Sequence, residues 1–177
     1  QRMGIDCIDI YQLHRPDWLM NPAEVAKAFS KLKKAGKVKY FGVSNFSPSQ
    51  VSCLQSALKY PLVANQFEAS LMHLDPFKNG TLDQCLERGL TPMAWSPLAG
   101  GLLSGKYGRE QQGVEGSRRT TFDFPPVDRE RAFTCVDAMR VMADARGVSV
   151  AQIALAWLLH QRAVTTVIVG AKKVEQL

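Results

Sequence analysis

Between Gly36 and Pro48 the chain leaves one helix, makes a strand and enters the next helix, all within GKVKYFGVSNFSP. Gly36 stops the first helix. Tyr40 to Val43 is a short apolar strand, and Ser47-Pro48 reads as the N-cap and first residue of a second helix. A strand flanked this closely by helices cannot join its neighbours through hairpins. Its partners in a sheet must be parallel and reached by right-handed crossovers. Ligands of such sheets collect at the carboxyl ends of the strands, so Ser44 and Asn45 are candidate polar contacts.

The same pattern repeats along the chain. Ile5 to Leu13 is a strand rich in β-formers, with Ile8, Ile10, Gln12 and His14 on one face by alternation. Asn21-Pro22-Ala23-Glu24 starts a helix whose stripe is Val25, Ala28, Phe29 and Leu32. Pro48 to Leu58 is the next helix, with Val51, Leu54 and Leu58 inward. Leu62 to Phe67 is a strand, and Asp75-Pro76 a turn. Thr81 to Arg88 is a helix closed by Gly89, and Thr91 to Trp95 a strand followed by the loop Ser96 to Gly101. Leu102 to Pro126 is long, polar and aperiodic, as functional loops are. Asp128 to Arg146 is a helix, Ser149 caps another, and Val164 to Val169 is the last strand, followed by Gly170.

Five strands, each followed by a helix, fit either a doubly wound sheet or part of a (β/α)8 barrel. No G-x-G-x-x-G follows any strand, so the dinucleotide fingerprint of the doubly wound fold is missing. Polar and aromatic residues instead end nearly every strand: His14, Ser44-Asn45, Gln66, Trp95-Ser96 and Gly170. A site drawn from many strand ends is how the barrel works.

Composition narrows the function classes. The 177 residues fit one domain with a sizeable core. The net charge of +6 is partly a cluster of lysines, Lys31, Lys33, Lys34, Lys37 and Lys39. They surround a helix end, where cations favour the dipole, and no recognition motif accompanies them, so nucleic-acid binding is not expected. The four cysteines are far apart and share no metal-ligand spacing with the three histidines. They read as small buried hydrophobes in a reducing compartment, with no metal site. No apolar run reaches a membrane span and no signal peptide is visible, so a cytoplasmic protein without a membrane partner is expected.

Five strings in register, IDIYQLHRPD, GKVKYFGVSNF, NQFE, AWSPLAGGLLSGKY and VIVGAKKVEQL, resemble the aldo-keto reductase superfamily over essentially the whole chain. The segments HRPDWLMNPAEVAKAF and NGTLDQCLERGLTPMAWSPLAGG are similar to a bacterial oxidoreductase branch of it. The resemblance implies an α/β fold, a (β/α)8 TIM barrel that binds NAD(P)H across its C-terminal face and reduces aldehydes and ketones. Of the family's catalytic Asp, Tyr, Lys and His, only the His has a counterpart here, on what would be the fourth strand. Tyr11 cannot replace the proton-donating Tyr, because it lies on the opposite strand face from His14. Residues 1–177 would then be one incomplete barrel domain, about the last five βα units. It would begin after the strands that carry the other three groups and stop just short of the C-terminal cofactor helix. Such a piece would itself be inactive and would self-associate through its open barrel edges.

By the same resemblance His14 binds the substrate carbonyl oxygen. Ser44, Asn45 and Gln66 hold the nicotinamide carboxamide, and Trp95 stacks on the ring. Ser96, Pro97, Leu98, Ala99 and Gly100 wrap the pyrophosphate, their small residues letting backbone N–H groups approach. Lys106, Ser117 and Arg118 contact cofactor phosphate, as in related reductases and potassium-channel β-subunits. Gly170, Lys172 and Gln176 hold the adenosine end. Lys172 with Arg118 would suit a 2′-phosphate, which favours NADPH over NADH. The resemblance leaves two readings: a carbonyl reductase acting on a small-molecule substrate, or a non-catalytic nucleotide-binding partner or sensor.

Overall fold

The computed structural model describes residues 3–110, 124–171, 173 and 174. Two compact units divide the chain: Gln1–Phe67 with Asn79–Met93, and Glu68–Lys78 with Ala94–Leu177. The strands are β1 (Ile8–Leu13), β2 (Val38–Ser44), β3 (Leu62–Glu68), β4 (Thr91–Trp95) and β5 (Thr166–Ile168), in sheet order β1-β2-β3-β4-β5. The helices are α1 (Pro22–Lys34), α2 (Pro48–Ala57), α3 (Thr81–Arg88), α4 (Arg129–Arg146) and α5 (Val150–Leu159). β1 pairs parallel with β2, and β2 with β3.

Local chemistry sets the helix ends. Asn21 caps α1 by accepting from the Ala23 N–H at 3.0 Å, with Pro22 as first residue. Ser47 and Gln50 form a reciprocal capping box on α2, as Ser149 and Gln152 do on α5. Gly36, Gly89 and Gly147 follow α1, α3 and α4 with φ of 67°, 65° and 65°. In each case the next residue's N–H turns back to the helix, Lys37 to the Leu32 carbonyl, Leu90 to Cys85 and Val148 to Ala143.

In the first unit Phe29 stacks on Phe41 at 4.1 Å, and Phe41 on Tyr60 at 5.4 Å. Phe41, Val43, Val51 and Leu54 are fully buried. Burying side chains of this size is worth about 1.5–3 kcal/mol each. The second unit has its own core, in which Ala99, Leu103, Val136, Met139, Ala143, Val150 and Ala154 pack together.

Several expectations need correction. β1 and β5 are shorter than their apolar runs. Ala28 faces solvent on α1 and Ala26 is buried in its place, because the buried face follows Phe29 by steps of three and four residues. Cys53 is exposed, and only Cys85 of the four cysteines is fully buried. Asp75–Phe77 and Ala99–Ser104, expected as a turn and a loop, are short 3-10 turns, the latter broken by Gly100 and Gly101. Ile10 and Tyr11 in the middle of β1 are both exposed, at 46% and 42%. Among the described residues no single helix is long and apolar enough to cross a membrane.

Candidate functional site

In the first unit the polar strand ends converge. The β2–β3 register slips by one residue, from Phe41↔Leu62 to Val43↔Asn65, and so sets Ser44 opposite Gln66. Without the slip Ser44 would face Asn65, and Gln66 would point to the other side of the sheet. Asn45 has φ 61°, a left-handed conformation that Asn tolerates better than most residues. The Asn45 N–H donates to the Gln66 carbonyl at 2.6 Å. The Asn45 amide nitrogen donates to the His14 carbonyl at 3.2 Å and to Ser44 Oγ at 3.0 Å. Ser44 is 3% exposed. Its oxygen accepts from Asn45, and its own O–H makes no hydrogen bond among the described residues, so it remains to donate. The His14 side chain is exposed, just beyond the end of β1. His14, Ser44, Asn45 and Gln66, expected to serve one site, are thus joined at neighbouring strand ends.

Two residues of this group carry no role in the sequence reading. Gln12 accepts from Gln66 Nε2 at 2.9 Å and donates to Met93 Sδ at 3.2 Å. Its signal was a polar side chain on an apolar strand, on the face shared with His14. Asn65, 1% exposed, donates to the Phe46 carbonyl at 3.0 Å and holds the turn that leads to the Ser47 cap.

In the second unit Trp95 stacks on Phe124 with ring centroids 5.9 Å apart and planes 8° from parallel. Phe124 was not anticipated, because it lies 29 positions along the chain from Trp95 and nothing in sequence brings the two together. Ser96 and Ala99 have φ of 54° and 49°, and Gly100 and Gly101 follow at 65° and 99°. This tight winding uses its own backbone donors. The Ala99 and Gly100 N–H groups go to Ser96 O and Oγ, and that of Gly101 goes to Leu98 O. Pro97 has no N–H, so only the Leu98 N–H between Pro97 and Gly101 is not spent within the turn. The small residues here serve the winding more than an open row of N–H donors.

Gly105 to Arg109 is clasped to α4. Arg140 donates to the Gly105 carbonyl, Tyr107 is buried with Leu102, Ala132 and Phe133, and Arg109 bonds Glu130 and Asp137 at 2.6 and 2.7 Å. The hydrogen bond that Arg109 donates to the Asp137 carboxylate holds the pKa of its guanidinium above the usual range. Lys106 is exposed, with its ammonium over the Tyr107 ring at 5.2 Å. Gly170 is exposed beyond β5. Ser117, Arg118, Lys172 and Gln176 lie outside the described residues. Among the described residues no group of three His, Cys, Asp or Glu side chains is placed to hold a metal.

Comparison with known proteins agrees over the full length. The family model described as Aldo/keto reductase family matches residues 1–177, across both units. The chain is 37% identical over 176 residues to 6-dehydroglucose reductase of Novosphingobium aromaticivorans, covering 99% of this chain and 51% of that protein. It is 36% identical over 176 residues to oxidoreductase YdhF of Escherichia coli K12, with the same 99% and 51% coverage. Among solved structures it matches the glycerol dehydrogenase AKR11B4 of Gluconobacter oxydans with a TM-score of 0.83 at 30% identity, over 99% of this chain and 53% of that one. The chain therefore spans about half the length of the curated relatives it matches, and its parallel βα succession is part of a (β/α)8 barrel.

Proposed function

The chain belongs to the aldo/keto reductase family, and from that premise we propose that it serves an NADPH-dependent cytoplasmic reductase of small aldehydes and ketones. The observation that carries the reading is the polar group at the ends of β1, β2 and β3. A carboxamide has one carbonyl acceptor and two N–H donors. Ser44 retains an O–H to donate, and Gln66 Oε1 has no hydrogen-bond partner among the described residues. Those two valences match the carboxamide of a nicotinamide, so the residues present fit the cofactor.

Ser44, Asn45 and Gln66 fix which ring face is presented, a positioning task. Trp95, its plane set by Phe124, takes the ring. The Leu98 N–H of the Ser96 to Gly100 turn and the Lys106 ammonium take the phosphates, with Arg118. Gly170, Lys172 and Gln176 take the adenosine end, and Arg118 with Lys172 carries the preference for NADPH. His14, exposed at its strand end, donates a hydrogen bond to the substrate carbonyl oxygen as negative charge develops there. When bound, the cofactor supplies the hydride.

The test is NADPH oxidation with an aromatic aldehyde, run on this chain and on a full-barrel version in which it is joined to the N-terminal half of a relative's barrel, alongside NADPH binding by fluorescence. In the full-barrel version His14→Ala is expected to lower kcat/KM by about 10²-fold and leave the NADPH Kd unchanged. Activity undiminished in His14→Ala removes His14 from the reaction. NADPH bound by the full-barrel version with no carbonyl turned over replaces the reductase with a nucleotide-binding partner or sensor.

A further inference from the structure

Gln12 touches none of the ligand groups assigned above, yet its side chain is held from two sides. It sits on β1 opposite Gly42 of β2. A Cβ on Gly42 would lie 3.2 Å from Gln12 Cγ and 3.0 Å from the Ala64 carbonyl oxygen. With only hydrogen there, the Gln12 side chain crosses β2 and reaches Gln66 on β3 at 2.9 Å and Met93 on β4 at 3.2 Å. The sulfur decides the direction of both bonds. A thioether can only accept, so Gln12 must turn its NH2 to Met93 and its Oε1 to Gln66. Gln66 must answer with its own NH2, which points its Oε1 away from Gln12.

We propose that Gln12 is a positioning residue that locks the Gln66 amide with its oxygen outward, Gly42 giving it passage and Met93 its orientation. The proposal rests on the assignment of Gln66 to the nicotinamide carboxamide. Either end of a freely turning glutamine amide can meet a ligand. Held by Gln12, Gln66 becomes a one-way acceptor for an N–H of the carboxamide. The site then discriminates against a nucleotide that keeps the carbonyl but lacks the N–H, because the Gln66 oxygen is left unpaired.

The experiment compares the Kd of NADPH with that of its reduced acetylpyridine analogue, in which a methyl ketone replaces the carboxamide. The wild-type protein is expected to favour NADPH. Gln12→Leu frees Gln66 to turn and is expected to shrink that ratio about three- to tenfold. Gln12→Glu keeps an oxygen facing Gln66 and is expected to keep most of the ratio. Met93→Leu removes the accepting sulfur at similar volume. It is expected to lower the ratio in the same sense, and it serves if Gln12→Leu does not fold. A ratio unchanged by Gln12→Leu or Met93→Leu, with NADPH still bound, overturns the role of Gln12 and leaves the cofactor assignment standing. A wild-type protein that binds neither nucleotide overturns both.

Discussion

Ser44 and Asn45 show how a residue's position in sequence can be plain while its valence is not. Both stand where β2 runs out, and the alternation of strand and helix places them at a ligand-facing end. Which of their atoms are left for a ligand depends on neighbours 31 residues back and one residue away: Asn45 spends its amide N–H groups on the His14 carbonyl and Ser44 Oγ. Cys85 is the clearest case of a group read correctly as a small buried hydrophobe. Burial pushes its thiol from 9.0 up to about 11. The thiolate forms more readily in the unfolded chain, so this contribution to stability is intact below pH 9 and is lost as the pH rises toward 11. Urea denaturation from pH 8 to 10.5 is expected to show the wild type losing stability faster than Cys85→Ala, by about 1 kcal/mol or less per pH unit. Parallel pH slopes for the two proteins contradict it.

At the scale of elements, the helices were legible because their ends are satisfied locally. Asn21, Ser47 and Ser149 bond N–H groups two or three residues on, and Gly36, Gly89 and Gly147 stand where a left-handed residue is needed. Contacts between elements were not legible in the same way. Gly105 looks like any loop glycine, yet it has φ 78° and a Cβ there would come within 2.9 Å of Val150 Cβ at the start of α5. Gly105→Ala therefore combines a left-handed strain with an overlap, and is expected to cost about 2–4 kcal/mol in urea denaturation. Pairing it with Val150→Gly, which removes the Cβ, is expected to relieve the overlap and leave the strain, so that the two costs combine to less than their sum. Costs of the two single variants that simply add in the double variant would show that the contact with Val150 is not the source.

For the whole molecule, the sheet order leaves β1 and β5 as the outer strands. Ile10 and Tyr11 on β1, and Ile168 and Val169 at β5, are 46%, 42%, 37% and 48% exposed. Outer strands with exposed apolar side chains and unpaired backbone groups are templates for pairing with another chain. The 177-residue chain is expected to self-associate at tens of micromolar in sedimentation velocity, and Ile10→Lys is expected to shift it toward monomer. A monodisperse monomer at that concentration overturns the expectation.

By itself the sequence determined the order of strands and helices, the helix caps and stops, and the strand ends at which His14, Ser44, Asn45, Gln66 and Trp95 sit. Each of these follows from residues within a turn of one another, where spacing alone fixes what can meet. Tertiary structure decided the rest. The one-residue slip between β2 and β3 sets Ser44 against Gln66. The bare Gly42 lets Gln12 cross to Gln66 and Met93, and Phe124 comes to lie on Trp95. These contacts join residues from 22 to 81 positions apart, through the register of paired strands and the packing of distant segments. A side chain's type and its neighbours along the chain do not specify either.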